Sequence, residues 1–238
     1  MRIRAILFDK DGTIIDYRRT WVPINREVAL FAARGEARLA AELLRAGGHD
    51  PETDLVTPGS VLAAGSVDDI AGTFRERLGA RTPAELNREI DRIFSEGGAR
   101  HSVLLPGAEE TIAALHALGF ALGIATNDTI GGLRASLDRH DIRRHMMFEA
   151  GCDSGHGAKP APGMVTAFAA AAGVAPTEVA VVGDAVHDLE MADAAGAGLK
   201  VAVLSGTSPA EVLAPHADLV LASIAEMPGH PAFSGGRS

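Results

Sequence analysis

Short apolar runs recur along the chain at intervals that suit buried strands. They are rich in aliphatic and β-branched residues, and most end abruptly at polar residues. The runs are 2–8, 121–126, 147–150, 179–182 and 200–204. Helical spacing of apolar residues separates them, at 108–118, 133–140, 162–172 and 189–195. This alternation predicts an α/β fold with a doubly wound, Rossmann-like parallel sheet.

Residues 17–100 break the alternation. Amphipathic helices are predicted at 24–44, 67–78 and 83–94, with no convincing strand among them. We therefore expect a helical cap at 17–100, inserted into an α/β catalytic core formed by 1–16 and 101–228. Turn residues near both junctions suit a hinged lid. Residues 229–238 are predicted to form a flexible tail.

Polar side chains gather where the predicted strands end. They are Asp9, Asp11, Thr126, Asn127, Asp184 and Asp188, with Lys159 in a loop before a helix. Ligands of open parallel sheets bind beyond the carboxyl ends of the strands, so these residues are expected to converge. Carboxylates closing on one point repel each other unless a cation lies among them, and hard oxygen ligands favour Mg²⁺. The lysine and the threonine hydroxyl would then bind phosphate oxygens.

Four motifs in order carry a family resemblance. They are Asp9-Lys10-Asp11-Gly12-Thr13, Thr126-Asn127, Lys159-Pro160-Ala161-Pro162 and Gly183-Asp184-Ala185-Val186-His187-Asp188. This set resembles the haloacid dehalogenase superfamily, and within it the phosphoglycolate phosphatase-like group. The resemblance covers roughly residues 1–16 and 101–210. Residues 17–100 resemble the helical cap of that superfamily only in position and helix content.

The resemblance implies a magnesium-dependent phosphatase that hydrolyses a small phosphate monoester, phosphoglycolate-like or a sugar phosphate. Asp9 would be the nucleophile that forms an aspartyl phosphate. Asp11 would protonate the leaving oxygen and then deprotonate the attacking water. Mg²⁺ would be bound by Asp9, the backbone carbonyl of Asp11 and Asp184, with Asp188 as a direct or water-mediated ligand. Phosphate oxygens would contact Thr126, Lys159 and backbone amides near Asp11 and Asn127.

Two positions depart from the usual pattern of these phosphatases. Lys10 lies between the two aspartates, where an apolar residue is common. Asp128 follows Asn127, where serine or threonine is frequent. Because side chains alternate along a strand, Lys10 points away from Asp9, and we expect it to form a structural ion pair.

Alternative functions remain open at this point. A sugar phosphate mutase of the same superfamily would share the core motifs. A phospho-accepting receiver-type switch also uses Mg²⁺, an aspartate and a lysine, but it lacks the second acid and the helical insertion. A non-catalytic scaffold would be expected to have lost a motif residue. Asp11 disfavours a dehalogenase, and the absence of lysine from 17–100 disfavours phosphonate cleavage through a Schiff base.

Composition limits the class of partner. A chain of 238 residues that is 47% hydrophobic can bury a large core, and its single cysteine, Cys152, excludes internal disulfides. The net charge of -9 disfavours nucleic acid and anionic membranes, and no stretch reaches the length of a membrane span. We therefore expect a cytoplasmic protein, a monomer or small homo-oligomer, whose partner is a small-molecule phosphate ester.

Overall fold

The computed structural model describes residues 2–234. The chain divides into two compact units, with boundaries between Asp16 and Tyr17 and between Ser102 and Val103. The first unit contains the sheet and both terminal parts of the chain. The second contains only helices among its regular elements.

The sheet of the first unit has six strands, all paired in parallel. They are β1 (Ala5–Phe8), β2 (Ala121–Ala125), β3 (Phe148–Ala150), β4 (Val179–Gly183), β5 (Leu199–Val203) and β6 (Leu219–Leu221). Their order is β3-β2-β1-β4-β5-β6, which confirms the predicted doubly wound parallel sheet. Strand β6 was not predicted, although it is as long as β3, which was.

Helices of the second unit are α1 (Tyr17–Ala32), α2 (Ala37–Ala46), α3 (Val61–Ala64), α4 (Val67–Leu78) and α5 (Leu86–His101), with a 3₁₀ turn at Gly79–Arg81. The single helix predicted at 24–44 is wrong. It is two helices, because Arg34 and Gly35 adopt φ angles of 54° and 84°, in the left-handed region that ends a helix. The unit has its own apolar core, which includes Trp21, Phe74 and Ile90.

Helices of the first unit are α6 (Ala108–Ala117), α7 (Ile130–Leu137), α8 (Gly163–Ala172), α9 (Val186–Ala194) and α10 (Ala210–Leu213). Its 3₁₀ turns are Arg143–His145, Pro176–Glu178, Ala214–His216, Ile224–Gly229 and Pro231–Phe233. Within residues 2–234, no helix combines the length and apolar character that crossing a bilayer requires.

Both faces of the sheet are covered by helices. Ile6 and Phe8 of β1 belong to one apolar cluster, together with residues of α6 and α7. Ala5 and Leu7 belong to a second cluster, with residues of α8 and α9. Because side chains alternate along a strand, β1 must be apolar at every position. This explains why its sequence is a continuous apolar run.

The end of the first unit differs from the predicted flexible tail at 229–238. Pro231–Phe233 forms a 3₁₀ turn, and the side chain of Phe233 is fully buried. Its ring centroid lies 6.2 Å from that of Phe120. The tail prediction is wrong for this part, because one aromatic side chain anchors the segment to the core. Residues 235–238 lie outside the described residues.

Candidate active site

Three buried aspartates meet at the carboxyl end of the sheet. Asp9 follows β1, Asp184 follows β4, and Asp188 lies in the first turn of α9. Strands β1 and β4 are parallel neighbours, and the Asp9 amide extends their ladder by donating to the Val182 carbonyl at 2.8 Å. One carboxylate oxygen from each aspartate lies within 4.8 Å of the other two. This donor set is made of hard oxygens and fits a divalent cation.

Lys159 supplies a positive charge inside this acidic group. Its Nζ donates to Asp9 Oδ1 at 2.6 Å and to Asp188 Oδ1 at 2.7 Å. The Asn127 side chain holds the lysine backbone: Oδ1 accepts from the Lys159 N–H at 2.8 Å, and Nδ2 donates to the Lys159 carbonyl at 3.3 Å. Asn127 thereby couples the loop after β2 to the loop that carries the lysine.

Burial and mutual repulsion shift the pKa values of these groups. Burial raises the pKa of Asp9 from 3.8 to about 6, against the lowering effect of Lys159, and the charges of Asp188 and Asp11 add to the rise. Burial, with the charges of Asp9 and Asp188, raises the pKa of Asp184 well above its ordinary value. Ionising all three aspartates leaves a net charge that one lysine does not neutralise. A bound divalent cation would balance it.

The pKa values of Asp188 and Lys159 shift in the directions that favour their charged forms. Burial alone would raise the pKa of Asp188, but the Lys159 ammonium and the Ala185 backbone N–H hold it below its ordinary value. Burial alone would lower the pKa of Lys159, but Asp188 and Asp9 raise it. Both groups are therefore charged at neutral pH. Asp188 Oδ2 also accepts from the Ala185 N–H at 3.1 Å, so this residue caps α9 as well as contacting the lysine.

A loop after β5 encloses Asp184, and its place at the site was not among the predictions from the sequence. The Thr207 N–H donates to Asp184 Oδ2 at 3.0 Å, and Ser205 Oγ donates to the Gly12 carbonyl at 2.7 Å. A Cβ atom on Gly206 would lie 1.8 Å from Asp184 Oδ2, and one on Gly12 would lie 2.6 Å from it. Only glycine fits at either position. The signal available in the sequence was a glycine between two hydroxyl residues directly after a strand.

Asp11 lies on the turn that follows β1, next to a buried lysine. Lys10 Nζ is 3.1 Å from Asp11 Oδ2 and 2.6 Å from Asp128 Oδ2. The expected ion pair of Lys10 is therefore confirmed. Burial would lower the pKa of Lys10, but Asp11 and Asp128 raise it above its ordinary value. The Asp11 carboxylate is not part of the group of three aspartates, although its charge raises the pKa of Asp9.

Thr126 and His187 lie beside the site. Thr126 is buried at the end of β2, and its Oγ1 accepts from the Asp128 N–H at 3.1 Å. The hydroxyl retains its own hydrogen for donation. His187 Nε2 is 3.7 Å from Asp188 Oδ1, and its side chain is 27% exposed. Of the predicted residues, the structure thus joins Asp9, Asp184, Asp188 and Lys159 directly, and Asn127 through the lysine backbone.

The fold and this acidic group define a known class of enzyme. The sequence profile of the haloacid dehalogenase-like hydrolases matches residues 3–196. The chain belongs to this hydrolase family. The family predicted from the four motifs is therefore confirmed.

A related enzyme indicates the type of hydrolase. The phosphoglycolate phosphatase of Salmonella typhimurium (strain LT2) is 30% identical over 207 residues, which span 82% of this chain and 79% of that protein. This similarity confirms the predicted enzyme class, a phosphoric monoester hydrolase.

Solved structures of other proteins share the fold. A haloacid dehalogenase family hydrolase from Deinococcus radiodurans R1, with bound phosphate and sodium, has a TM-score of 0.68 at 23% identity and covers 94% of this chain and 93% of its own. A structure described as a β-phosphoglucomutase from Thermotoga maritima has a TM-score of 0.65 at 20% identity, with coverages of 95% and 97%.

Proposed function

We propose that this protein is a Mg²⁺-dependent phosphatase that hydrolyses a small phosphate monoester through an aspartyl phosphate on Asp9. The observation that carries the proposal is the contact of Lys159 with both Asp9 and Asp188 inside a group of three buried carboxylates. One ammonium can neutralise only one of these three carboxylates. The surplus of buried negative charge instead suits a site built for a cation and a charged substrate.

Asp9, Asp184 and Asp188, with the backbone carbonyl of Asp11, would hold the metal. Bound there, Mg²⁺ would neutralise negative charge on the phosphoryl group and on the carboxylates, which lets an anionic substrate approach. Lys159 would contribute a second positive charge. The hydroxyl of Thr126 and the backbone amide of Asn127 would donate hydrogen bonds to phosphate oxygens.

The first chemical step forms a bond between Asp9 and phosphorus. A carboxylate oxygen of Asp9 attacks the phosphorus atom in line with the ester oxygen. The phosphorus–ester oxygen bond breaks, and its electron pair goes to the leaving oxygen. Asp11 transfers a proton to that oxygen, so an alcohol departs and Asp11 becomes a carboxylate.

The second step releases phosphate. The Asp11 carboxylate takes a proton from a water molecule as the water oxygen attacks phosphorus. The bond between phosphorus and the Asp9 oxygen breaks, and its electron pair returns to the carboxylate. Inorganic phosphate leaves, Asp9 is free again, and Asp11 carries the proton for the next turnover.

Phosphoglycolate is the first substrate to test, because 30% identical relatives are phosphoglycolate phosphatases. Sugar phosphates follow as the second group. A pocket selects among such esters through contacts with the part of the substrate that does not react, so a specificity constant for each ester is the informative quantity.

The test measures release of inorganic phosphate from a panel of esters by protein freed of metal with a chelator and then supplied with Mg²⁺. The panel contains 2-phosphoglycolate, hexose phosphates, phosphoserine, a nucleotide and p-nitrophenyl phosphate. We expect turnover only with the divalent cation, and the largest kcat/KM with a small monoester. Asp9→Asn should abolish turnover, whereas Asp91→Asn, on an exposed position of α5, should leave it unchanged.

Four outcomes contradict the proposal. Activity that persists in Asp9→Asn excludes this nucleophile. Conversion of a hexose 1-phosphate into the 6-phosphate in the presence of a hexose bisphosphate, faster than phosphate is released, indicates a mutase. Uptake of one phosphate per protein without turnover indicates a phospho-accepting switch, and no reaction with any ester indicates a scaffold.

A further inference from the structure

The two positions that depart from the family pattern contact each other. Lys10 lies between the two aspartates of the first motif, and Asp128 follows the asparagine of the second. They are 118 residues apart in the chain, yet Lys10 Nζ donates to Asp128 Oδ2 at 2.6 Å. Each residue would be costly alone, since a fully buried ammonium or a half-buried carboxylate without a partner is destabilising. Together they form one interaction.

The same ammonium also contacts the turn that carries Asp11. Lys10 Nζ lies 3.1 Å from Asp11 Oδ2, and the lysine side chain is 0% exposed. Ser136 Oγ on α7 accepts from the same nitrogen at 3.5 Å. The ammonium group has three hydrogens to donate and no lone pair to accept with, so every contact it makes is with an acceptor. The lysine therefore contacts Asp11 on one defined oxygen.

We propose that Lys10, anchored by Asp128, is a positioning residue that holds the Asp11 carboxyl group in place for proton transfer. This inference rests on the proposed function, in which Asp11 protonates the leaving oxygen. Because Oδ2 faces a hydrogen-bond donor, the proton to be transferred is carried by Oδ1. The Lys10 side chain is fully buried, so in this proposal it acts only through Asp11.

Alternatively, the Lys10–Asp128 pair serves stability alone. The two roles predict different effects on different esters. A nitrophenolate leaves without a proton, whereas an alkoxide needs one as its bond to phosphorus breaks. Misplacing Asp11 therefore slows the cleavage of an alkyl ester more than that of an aryl ester. Damage to the fold slows both alike.

The experiment compares kcat/KM for p-nitrophenyl phosphate with kcat/KM for the best alkyl ester of the panel, 2-phosphoglycolate or a hexose 6-phosphate. These constants report the first chemical step even when release of phosphate limits kcat. The variants are Lys10→Met and the double variant K10M/D128N. The double variant removes both charges of the Lys10–Asp128 pair together, so Asp128 is not left as a carboxylate without its lysine, which protects folding. Asn at 128 also keeps the acceptor that Asp128 Oδ1 offers to the Thr129 N–H at 2.7 Å.

We expect K10M/D128N to lower kcat/KM for the alkyl ester roughly tenfold more than for the aryl ester, a part of the roughly 10²- to 10⁴-fold that general acid–base catalysis contributes. Asp11→Asn should show the same selectivity with a larger amplitude. Lys10→Arg should restore part of the alkyl activity. Ser136→Ala removes another neighbour of Lys10 without touching Asp11, so the ratio of the two constants should stay at the wild-type value.

Equal losses on both esters in K10M/D128N, or wild-type constants on both, would overturn the inference and leave a purely structural pair. Different results would contradict the proposed function. Activity of Asp9→Asn removes the nucleophile, and an Asp11→Asn variant without ester selectivity removes the proton donor. If Asp11→Asn slows the alkyl ester more than the aryl ester but K10M/D128N does not, only the role of Lys10 is rejected and the proposed function stands.

Discussion

Replacing Asp9 by asparagine should make the metal-free protein more stable while it removes activity. Asp9 is buried, and burial raises its pKa from 3.8 to about 6. A folded-state pKa above the unfolded value means that folding favours the protonated acid. The stabilising contribution is fully present below pH 3.8 and is lost as the pH rises through about 6. At neutral pH the ionised Asp9 therefore opposes folding.

The size of the effect follows from the same values. The difference between 3.8 and about 6 corresponds to about 3 kcal/mol at neutral pH. Asparagine carries no charge at any pH, so Asp9→Asn should raise the free energy of unfolding by about 2–3 kcal/mol at pH 7.5. The gain should shrink to about 1 kcal/mol at pH 4.5, where the unfolded wild-type chain also begins to protonate.

Denaturant unfolding of the chelator-treated proteins at both pH values measures this difference. Asp91→Asn, exposed on α5, serves as the control and should change stability by less than about 0.5 kcal/mol. Addition of Mg²⁺ should stabilise the wild type more than Asp9→Asn, because the variant has lost a ligand charge. A variant less stable than the wild type at pH 7.5, or a gain that does not shrink at pH 4.5, would refute the electrostatic reasoning.

Two further predictions concern the groups around Asp9. In Gly206→Ala the added Cβ would lie 1.8 Å from Asp184 Oδ2, so the concentration of Mg²⁺ that gives half-maximal activity should rise at least tenfold; an unchanged activation curve would mean that Asp184 is not a ligand. Lys159→Met removes the ammonium that contacts Asp9 and Asp188, so the metal-free variant should lose about 3–5 kcal/mol in denaturant unfolding. Mg²⁺ should restore part of that loss, and equal stability without metal would contradict the role of this lysine as counter-charge.

The sheet and most of its helices were predictable because their signals are local. A strand covered on both faces must be apolar at successive positions, as β1 and β4 are, and a helix shows its period within a few turns. Two elements departed from the prediction. Strand β6 was missed although it is as long as β3. The break between α1 and α2 depends on positive φ angles at Arg34 and Gly35, and the helix predicted at 24–44 runs through that glycine although glycine commonly ends helices.

The residues of the candidate site were also predictable only in part. The motifs indicated Asp9, Asp184, Asp188 and Lys159, because the carboxyl ends of parallel strands share one edge. They did not indicate that Lys10 would contact Asp128.

The sequence by itself determined the class of fold, the family and the chemical groups available at the site. Only the tertiary structure decided which groups contact each other: the lysine with Asp9 and Asp188, the loop of Gly206 with Asp184, and Lys10 with both Asp11 and Asp128. The physical reason is that hydrophobic periodicity acts over a few residues. A hydrogen bond between positions more than a hundred residues apart depends instead on strand order, register and the path of each loop.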